Sequence, residues 1–451
     1  MSPNSISFDT TAAAPRTEDL RSLRRVVGAS FVGTAIEWYD YFIYGSAAAL
    51  VFARQFFPQL SPAAGTLASF ATYSVGFLAR PLGGVIMGHF GDRAGRKSML
   101  ALSLVIMGLA TAAIGLLPTY ATAGIWAPVL LVLLRFLQGL AVGGEWGGAV
   151  LMAVEHAPPG RRGFYGSFPQ MGVPGGLILA NLVFLATSRG LGAERFDDWG
   201  WRLPFLASFV LVAVGLTIRL KIEESPDFAK LREGKAAGGR ARVPVLEVLR
   251  TQWKAVLLAG GAFIGINTIG YIFMAYVLSY ATKRLGFSRD HVLLLSLMAT
   301  VVWLVTIPWA AALSDRRGRR KVLLVGSVAM LLWAAVFFPL IDTGATPAVL
   351  AALVVMAVAM GLVYGPQAAL FAELFAVRLR YSGVSLGYQI GAVLGGGIAP
   401  TVATALIATG HGSWPITVYL TSVAALSLGC LIVLTRNAQG ERRRTPRTHE
   451  S

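Results

Sequence analysis

Long apolar runs alternate with short polar breaks along almost the whole chain. About twelve runs can be read, near 28–52, 67–90, 98–117, 125–153, 164–188, 202–221, 254–280, 291–313, 322–341, 348–373, 383–409 and 415–435. Each reaches the ~20 residues that a helix needs to cross a bilayer core. Helix is the only open geometry there, because lipid offers no partner to an unpaired backbone group. The pattern predicts an all-α membrane protein with about twelve transmembrane helices. Polar stretches divide it into a tail (1–27), a six-helix half (28–221), a central loop (222–253), a second six-helix half (254–435) and a closing tail (436–451). The central loop holds Glu223-Glu224-Ser225-Pro226-Asp227, a helix start with Ser225 as N-cap, and then a Gly/Ala/Arg linker at 234–242.

Two of the polar breaks repeat. Residues 88–97 read Gly-His-Phe-Gly-Asp-Arg-Ala-Gly-Arg-Lys, and 311–321 read Ala-Ala-Leu-Ser-Asp-Arg-Arg-Gly-Arg-Arg-Lys. Their aspartates, Asp92 and Asp315, are 223 positions apart, close to half of the 451-residue chain. A second echo sets Glu155, Arg162 and Ser167 against Glu373, Arg380 and Ser385, each 218 positions on. The difference between the two offsets is the size of a loop insertion. Two echoes in register imply duplicated halves. In such a loop a carboxylate sits beside basic groups at a helix end, where it can pair with them and accept amide hydrogen bonds.

Composition narrows the function. At 55% hydrophobic and 14% charged, the chain lacks the polar surface of a soluble protein. A net charge of +17 could suggest nucleic acid, but the charge is not in one patch. Thirty of the 39 Lys and Arg fall in the two tails and alternate loops, six in the opposite loops, and Arg80, Arg135 and Arg202 in or at the edge of spans. That asymmetry puts both termini and the central loop in the cytoplasm, with the basic residues against anionic lipid and no nucleic-acid partner. One cysteine, Cys430, lies inside the last span and rules out an internal disulfide. The polar 1–27 stretch runs straight into a full-length span, so no cleavable signal peptide is expected. There is no Gly-rich phosphate loop and no metal-ligand cluster, so neither enzyme chemistry nor a metal is expected.

The informative residues are the ionisable ones inside spans. A charge at the bilayer centre costs ~2.5–3.5 kcal/mol on insertion scales, so it is retained for a use. The first span holds Glu37 and Asp40, three apart and so on one face, which Tyr44 continues. The fourth span holds Arg135, Gln138, Val142 and Glu145 as one stripe, with glycines thinning the rest of the helix. A rise of ~1.5 Å per residue puts Arg135 and Asp40 at similar depth with opposite sign. Contact between them is not readable from spacing. The fifth span carries Gln170 between Pro169 and Pro174. In the second half the hydrogen-bonding groups are uncharged: Asn267, Thr268, Tyr271 and Tyr276 in one span, Tyr364 and Gln367 in another. They suit either a wet cavity or the joining of helices.

The paired loops resemble the signature of the major facilitator superfamily, Gly-x-x-x-Asp-Arg-x-Gly-Arg-Lys, complete in the first copy and with Ala311 for Gly in the second. Further stretches look like its metabolite:proton symporter branch: 33–40 (Gly-Thr-Ala-Ile-Glu-Trp-Tyr-Asp), 135–139 (Arg-Phe-Leu-Gln-Gly), 143–146 (Gly-Gly-Glu-Trp), 200–205 (Gly-Trp-Arg-Leu-Pro-Phe), 224–226 (Glu-Ser-Pro) and 380–383 (Arg-Tyr-Ser-Gly). That branch includes carriers of shikimate, 2-oxoglutarate, citrate and proline or betaine. The resemblance covers about 24–436.

It implies two pseudo-symmetric six-helix halves around a midplane cavity lined by helices 1, 4, 7 and 10. It implies a monomeric, multi-pass protein of the bacterial inner membrane, without cofactor and driven by the proton gradient. By the resemblance and the residue types together, Asp40 is the expected proton carrier, with Glu37 and Glu145 as alternatives. Arg135, Gln138, Tyr44, Gln170, Asn267, Tyr271, Tyr364 and Gln367 are the expected substrate contacts. The expected cytoplasmic latch is Gly88, Asp92, Arg93, Gly95, Arg96, Asp315, Arg316, Gly318, Arg319, Glu155, Arg162, Glu373 and Arg380. In the related sugar-porter branch an Asp on helix 1 pairs with an Arg on helix 4, at the positions of Asp40 and Arg135. A substrate carboxylate competing with Asp40 for Arg135 would link substrate to proton. The expected activity is therefore proton-coupled symport of a small organic acid or related carboxylated metabolite by alternating access. The closing tail is too short for the coiled coil of the osmosensing betaine carriers. The alternative is a drug or metabolite proton antiporter, because Gly172-Val173-Pro174-Gly175-Gly176 is similar to an exporter motif.

Overall fold

The computed structural model describes residues 17–94, 96–143, 150, 153, 154, 157, 158, 160–220, 248, 250–374 and 380–444. Twelve long helical stretches follow in order: α1 Thr17–Leu50, α2 Pro62–Ala94, α3 Arg96–Leu116, α4 Trp126–Val142, α5 Arg162–Leu191 and α6 Arg202–Leu220 form the first six. The second six are α7 Trp253–Lys283, α8 Arg289–Arg317, α9 Arg319–Asp342, α10 Thr346–Leu374, α11 (Arg380–Gly391, Ala392–Gly397 and Ala399–Ala408) and α12 Trp414–Arg444. Among the described residues, seven are long and apolar enough to span a membrane by the strictest measure of length and composition. An eighth follows if the pair Ala193–Gly200 and Arg202–Thr217, bent by 61°, is one span. The chain is an all-α membrane protein of about twelve spans in two pseudo-symmetric halves.

The expected runs match the helices, with extensions at the chain ends. α1 begins at Thr17, ahead of its apolar run, and α12 continues to Arg444. The residues added are rich in Leu, Glu and Arg, good helix formers that carry a helix beyond the lipid. Most of the central loop lies outside the described residues.

The pairing of helices repeats between halves. α1 packs on α5 as α7 packs on α11; α2 on α4 as α8 on α10; α3 on α6 as α9 on α12. Across the halves, α2 meets α11 as α8 meets α5. Glycine sets the closest approach. A Cβ on Gly139 would stand 2.0 Å from the Gly76 carbonyl oxygen, and one on Gly83 or Gly143 would stand 2.1 Å from the carbonyl oxygen of Leu140 or Arg80. The α2 and α4 backbones therefore touch, which is how the side chains of Arg80 and Arg135 come to share one neighbourhood. α7 and α11 each carry a π turn, Ile272–Tyr276 and Ala392–Gly397. The second receives Tyr271, whose ring would lie 2.3 Å from a Cβ on Gly396.

Candidate functional site

The centre of the molecule holds two guanidinium groups in an aromatic shell. Arg135 on α4 is 0% exposed and Arg80 on α2 is 1% exposed. The Arg135 Cζ lies 4.0 Å from the Tyr41 ring centre, 4.1 Å from Tyr44 and 4.6 Å from Tyr73. The Arg80 Cζ lies 4.4 Å from both Tyr41 and Phe77 and 5.7 Å from Trp38. Cation–π contact replaces part of the lost hydration. Room for Arg135 depends on Gly76, where a Cβ would meet Nε at 2.7 Å. Tyr271 from the second half closes the shell, 5.0 Å from Phe77 and 6.1 Å from Tyr73 between ring centres.

Hydrogen bonds leave this cluster rich in donors. Arg135 Nη1 donates to Gln138 Oε1 (3.0 Å), and Gln138 Nε2 donates to Thr111 Oγ1 on α3 (2.7 Å). Tyr44 Oη donates to Thr72 Oγ1 at 2.6 Å. Among the described residues, Nε and Nη2 of both Arg80 and Arg135 have no partner, nor do the hydroxyls of Tyr73 and Tyr271, while Arg80 also has the Tyr41 and Tyr388 side chains beside it. Buried polar groups are nearly always bonded, and Arg is the side chain best shaped for a carboxylate.

Asp40 is 1% exposed and faces away from Arg135. Its Oδ1 accepts from Ser208 Oγ on α6 at 2.5 Å, and Thr111 stands by the same carboxyl. The neighbouring Tyr39 also turns to α6, donating to the Pro204 carbonyl at 2.7 Å. Asp40 and Arg135, whose contact the spacing left open and which the resemblance would pair, form no ion pair with each other in this structure. Gln138 reaches Thr111, whose own hydroxyl donates to the Met107 carbonyl at 2.8 Å, and α1 is rotated to put Asp40 against α3 and α6. Glu37 is buried on the same helix.

Other expected residues divide clearly. Arg135, Gln138, Tyr44 and Tyr271 belong to the central cluster. Gln170 and Tyr364 instead join the halves, Gln170 Nε2 donating to the Tyr364 carbonyl at 3.2 Å. Gln367 is buried on α10 with Oε1 unbonded. Asn267 departs from expectation: its amide donates to the Phe263 carbonyl on its own helix (2.9 Å), and its Cβ would be 3.0 Å from one on Gly395, whose close backbone takes up that face. Arg80, Tyr41, Tyr73, Thr111 and Ser208 were not singled out from the sequence. Arg80 could have been, since the argument that flags a charge in an apolar helix applies to it as well as to Arg135.

Both ends of the molecule are bridged. At the signature-loop end, Asp315 Oδ1 and Oδ2 accept from the backbone N–H of Gly163 and Phe164, both at 2.9 Å, in the first turn of α5. Arg319 Nη1 lies 3.0 Å from Asp315, and its Nε and Nη2 grip Glu373 Oε1 at 2.9 and 2.8 Å. Gly163 has no space for a Cβ, which would meet Asp315 at 2.7 Å. Gly318 makes the reversal between α8 and α9 at φ 93°, open to glycine at no strain. Arg162 and Arg316 are exposed and outside this cluster. Gly95, Glu145 and Glu155 lie outside the described residues, as do the surroundings of Gly88, Asp92, Arg93, Arg96 and Arg380. At the opposite end, Asp197 takes Arg54 (2.8 Å) from its own half and Arg289 from the other, while Asp290 takes Ser188 (2.9 Å) and Arg189 (3.2 Å) across the halves. The two halves are thus tied together at both ends of the described bundle.

The Asp315 geometry carries a prediction. Asp315→Asn keeps the shape but removes the charge that holds Arg319 and complements the α5 N-terminus. Transport rate should fall at least tenfold, while equilibrium substrate binding changes less than threefold. Rates and binding measured on the same purified variant check this, and a loss confined to binding would contradict it.

Comparison with known proteins places these features. The Major Facilitator Superfamily model matches residues 30–396. The inner membrane metabolite transport protein YhjE of Escherichia coli (strain K12) is 43% identical over 419 residues, covering 92% of this chain and 94% of its own. The shikimate transporter of the same organism is 43% identical over 438 residues, covering 94% of this chain and 97% of its own. A crystal structure of a D-xylose-proton symporter aligns with a TM-score of 0.70 at 19% identity, over 91% of this chain and 96% of that one, and so shares the fold.

Proposed function

Because the chain belongs to the Major Facilitator Superfamily, we propose that it imports a small organic acid, or a related carboxylated metabolite, together with protons. That it is a multi-pass membrane transporter and not an enzyme follows from the family and its named relatives. The substrate class rests on one observation: Arg135 is wholly buried and, among the described residues, its Nε and Nη2 are unbonded, as are the hydroxyls of Tyr41 and Tyr73 that pack on it. A buried surplus of donors calls for a ligand that brings acceptors and negative charge. The cargo named for one relative, shikimate, is itself a carboxylic acid.

Asp40 is the proton-carrying group in this reading, with Glu37 and Glu145 as alternatives. The route from substrate to Asp40 is the bonded series Arg135–Gln138–Thr111. A carboxylate on Arg135 brings negative charge to the head of this series, which ends at Thr111 beside the Asp40 carboxyl. The Asp315–Arg319–Glu373 group serves as the cytoplasmic latch, opening and closing around the fixed site. Both termini face the cytoplasm of a bacterium, and the carrier works as a monomer without cofactor.

Uptake of labelled organic acids, amino acids and betaines by whole cells, at about pH 5.5 and about pH 8, tests this. Accumulation of an organic acid that rises at the lower pH is expected, and collapse of the gradient should abolish it. Uphill export at either pH would mean antiport.

Gly76→Ala probes the same site. The added methyl collides with the far end of a flexible side chain, so the fold should persist while the Arg135 guanidinium is displaced. Moving the fork out of reach of a substrate carboxylate should weaken binding by about tenfold, equivalent to ~1.4 kcal/mol. Titration of purified protein checks it, with unchanged thermal stability as the control.

A further inference from the structure

We propose that the central site takes a short dicarboxylate, with one carboxylate on Arg135 and the other on Arg80. This rests on the reading of Arg135 as a carboxylate anchor and goes beyond it in assigning Arg80 and a second negative charge.

Three observations carry it. First, both guanidinium groups are buried, and their Cζ atoms lie 4.0 and 4.4 Å from the centre of one ring, Tyr41, so they cannot be farther apart than those two distances laid end to end. Among the described residues neither forms an ion pair with an acidic side chain. Two like charges at that separation in a site away from water repel strongly, and one negative charge would leave half of that unbalanced.

Second, the unbonded atoms are the same on both side chains: Nε and Nη2. Those two N–H groups lie on one edge of the guanidinium plane and are the fork that matches the two oxygens of a carboxylate. Two open forks fit two carboxylates. A single carboxylate fills one and leaves the other with buried, unbonded donors, which is costly.

Third, the side chains around Arg80 present mainly carbon. Trp38, Tyr41, Phe77 and Tyr271 surround Arg80, with the Trp38 and Tyr271 ring centres 6.3 Å apart. A short hydrocarbon link between two carboxylates suits such walls. Arg80 also sits at the seam between the halves, since Tyr271 and Tyr388 of the second half stand beside it. The second carboxylate would therefore bind where the two halves meet, whereas Arg135 and its neighbours Tyr41, Tyr44 and Tyr73 all belong to the first.

The test compares succinate with its monoamide, succinamate, and 2-oxoglutarate with its C5 monoamide, by calorimetric titration of the purified full-length protein near neutral pH. Each pair differs by one negative charge at almost constant shape. The dicarboxylate of at least one pair is expected to bind at least tenfold tighter than its monoamide. Arg80→Gln should bring that ratio close to one. Arg80→Lys keeps the charge without the fork and should give an intermediate ratio. The wild-type comparison needs no variant to fold. Equal affinity within each pair for the wild-type protein, or a ratio that survives Arg80→Gln, overturns the proposal. If shikimate or another monocarboxylate binds as tightly as any dicarboxylate and this depends on Arg135 but not Arg80, the second site falls and the carboxylate reading stands. If no carboxylate of either kind binds, both fall together.

Discussion

Proteoliposomes carrying Asp40→Asn will not accumulate substrate against its gradient, yet will still exchange external for internal substrate. The substitution keeps the size of the side chain and its hydrogen bond with Ser208, so the packing of α1 against α6 should survive. It removes only the ability to take up and release a proton. A carboxyl that is 1% exposed deep in a helix bundle has no structural need for ionisable chemistry, since a hydroxyl or amide would satisfy Ser208 as well. Accumulation driven by a proton gradient should drop to the level of protein-free liposomes, while the exchange rate stays within about threefold. Substrate-induced proton uptake, measured in parallel for Glu37→Gln and Glu145→Gln, identifies the carrier. A normal proton ratio in Asp40→Asn would transfer the role to one of the glutamates.

The second large effect is expected at Arg135. Arg135→Ala removes a charge-assisted, two-pronged grip on the substrate, and hydrogen bonds to charged groups contribute ~1.5–3 kcal/mol each. Loss of one or two amounts to a fall in affinity of roughly ten- to more than a hundredfold. Stability should move the other way from the usual case. Removing one partner of a buried ion pair ordinarily destabilises, because it strands the other charge. Arg135 has no acidic partner among the described residues and shares Tyr41 with a second cation, so its removal relieves repulsion. Thermal melting of the substrate-free variant should be unchanged or slightly raised, the gain being offset in part because Tyr44 and Tyr73 no longer have a cation to pack on. Arg135→Lys, which keeps the charge without the fork, should bind with intermediate affinity. A variant that melts far lower and binds normally would assign Arg135 to architecture instead.

Much of the molecule was legible along the chain. The apolar runs marked the helices, since lipid admits no other backbone geometry. The echo of Asp92 in Asp315 marked the duplication, and the pairing of α1 with α5 and of α7 with α11 repeats it in three dimensions. Asp315, the counterpart of Asp92 in the second half, pairs with Arg319 and accepts from the amides of Gly163 and Phe164; the surroundings of Asp92, for which that geometry was expected, lie outside the described residues. Asp40 and Arg135 stood out for the cost of a charge in lipid, and both are buried at the centre.

The sequence by itself determined the span pattern, the doubled plan and which side chains are too costly to be idle, because each follows from local composition or from the chain's likeness to itself. Only the tertiary structure decided what those side chains meet. Asp40 and Arg135 lie at like depth and opposite sign, yet one turns to Ser208 and the other to Gln138. That choice depends on the rotation of α1 about its own axis, which no spacing within α1 encodes. Arg80 became part of the site only because Gly83, Gly139 and Gly143 let the α2 and α4 backbones touch. Asn267 left it because Gly395 brings another backbone to its face. Periodicity says which residues share a face of one helix. Which face looks inward, and upon what, is set by contacts between residues far apart in the chain.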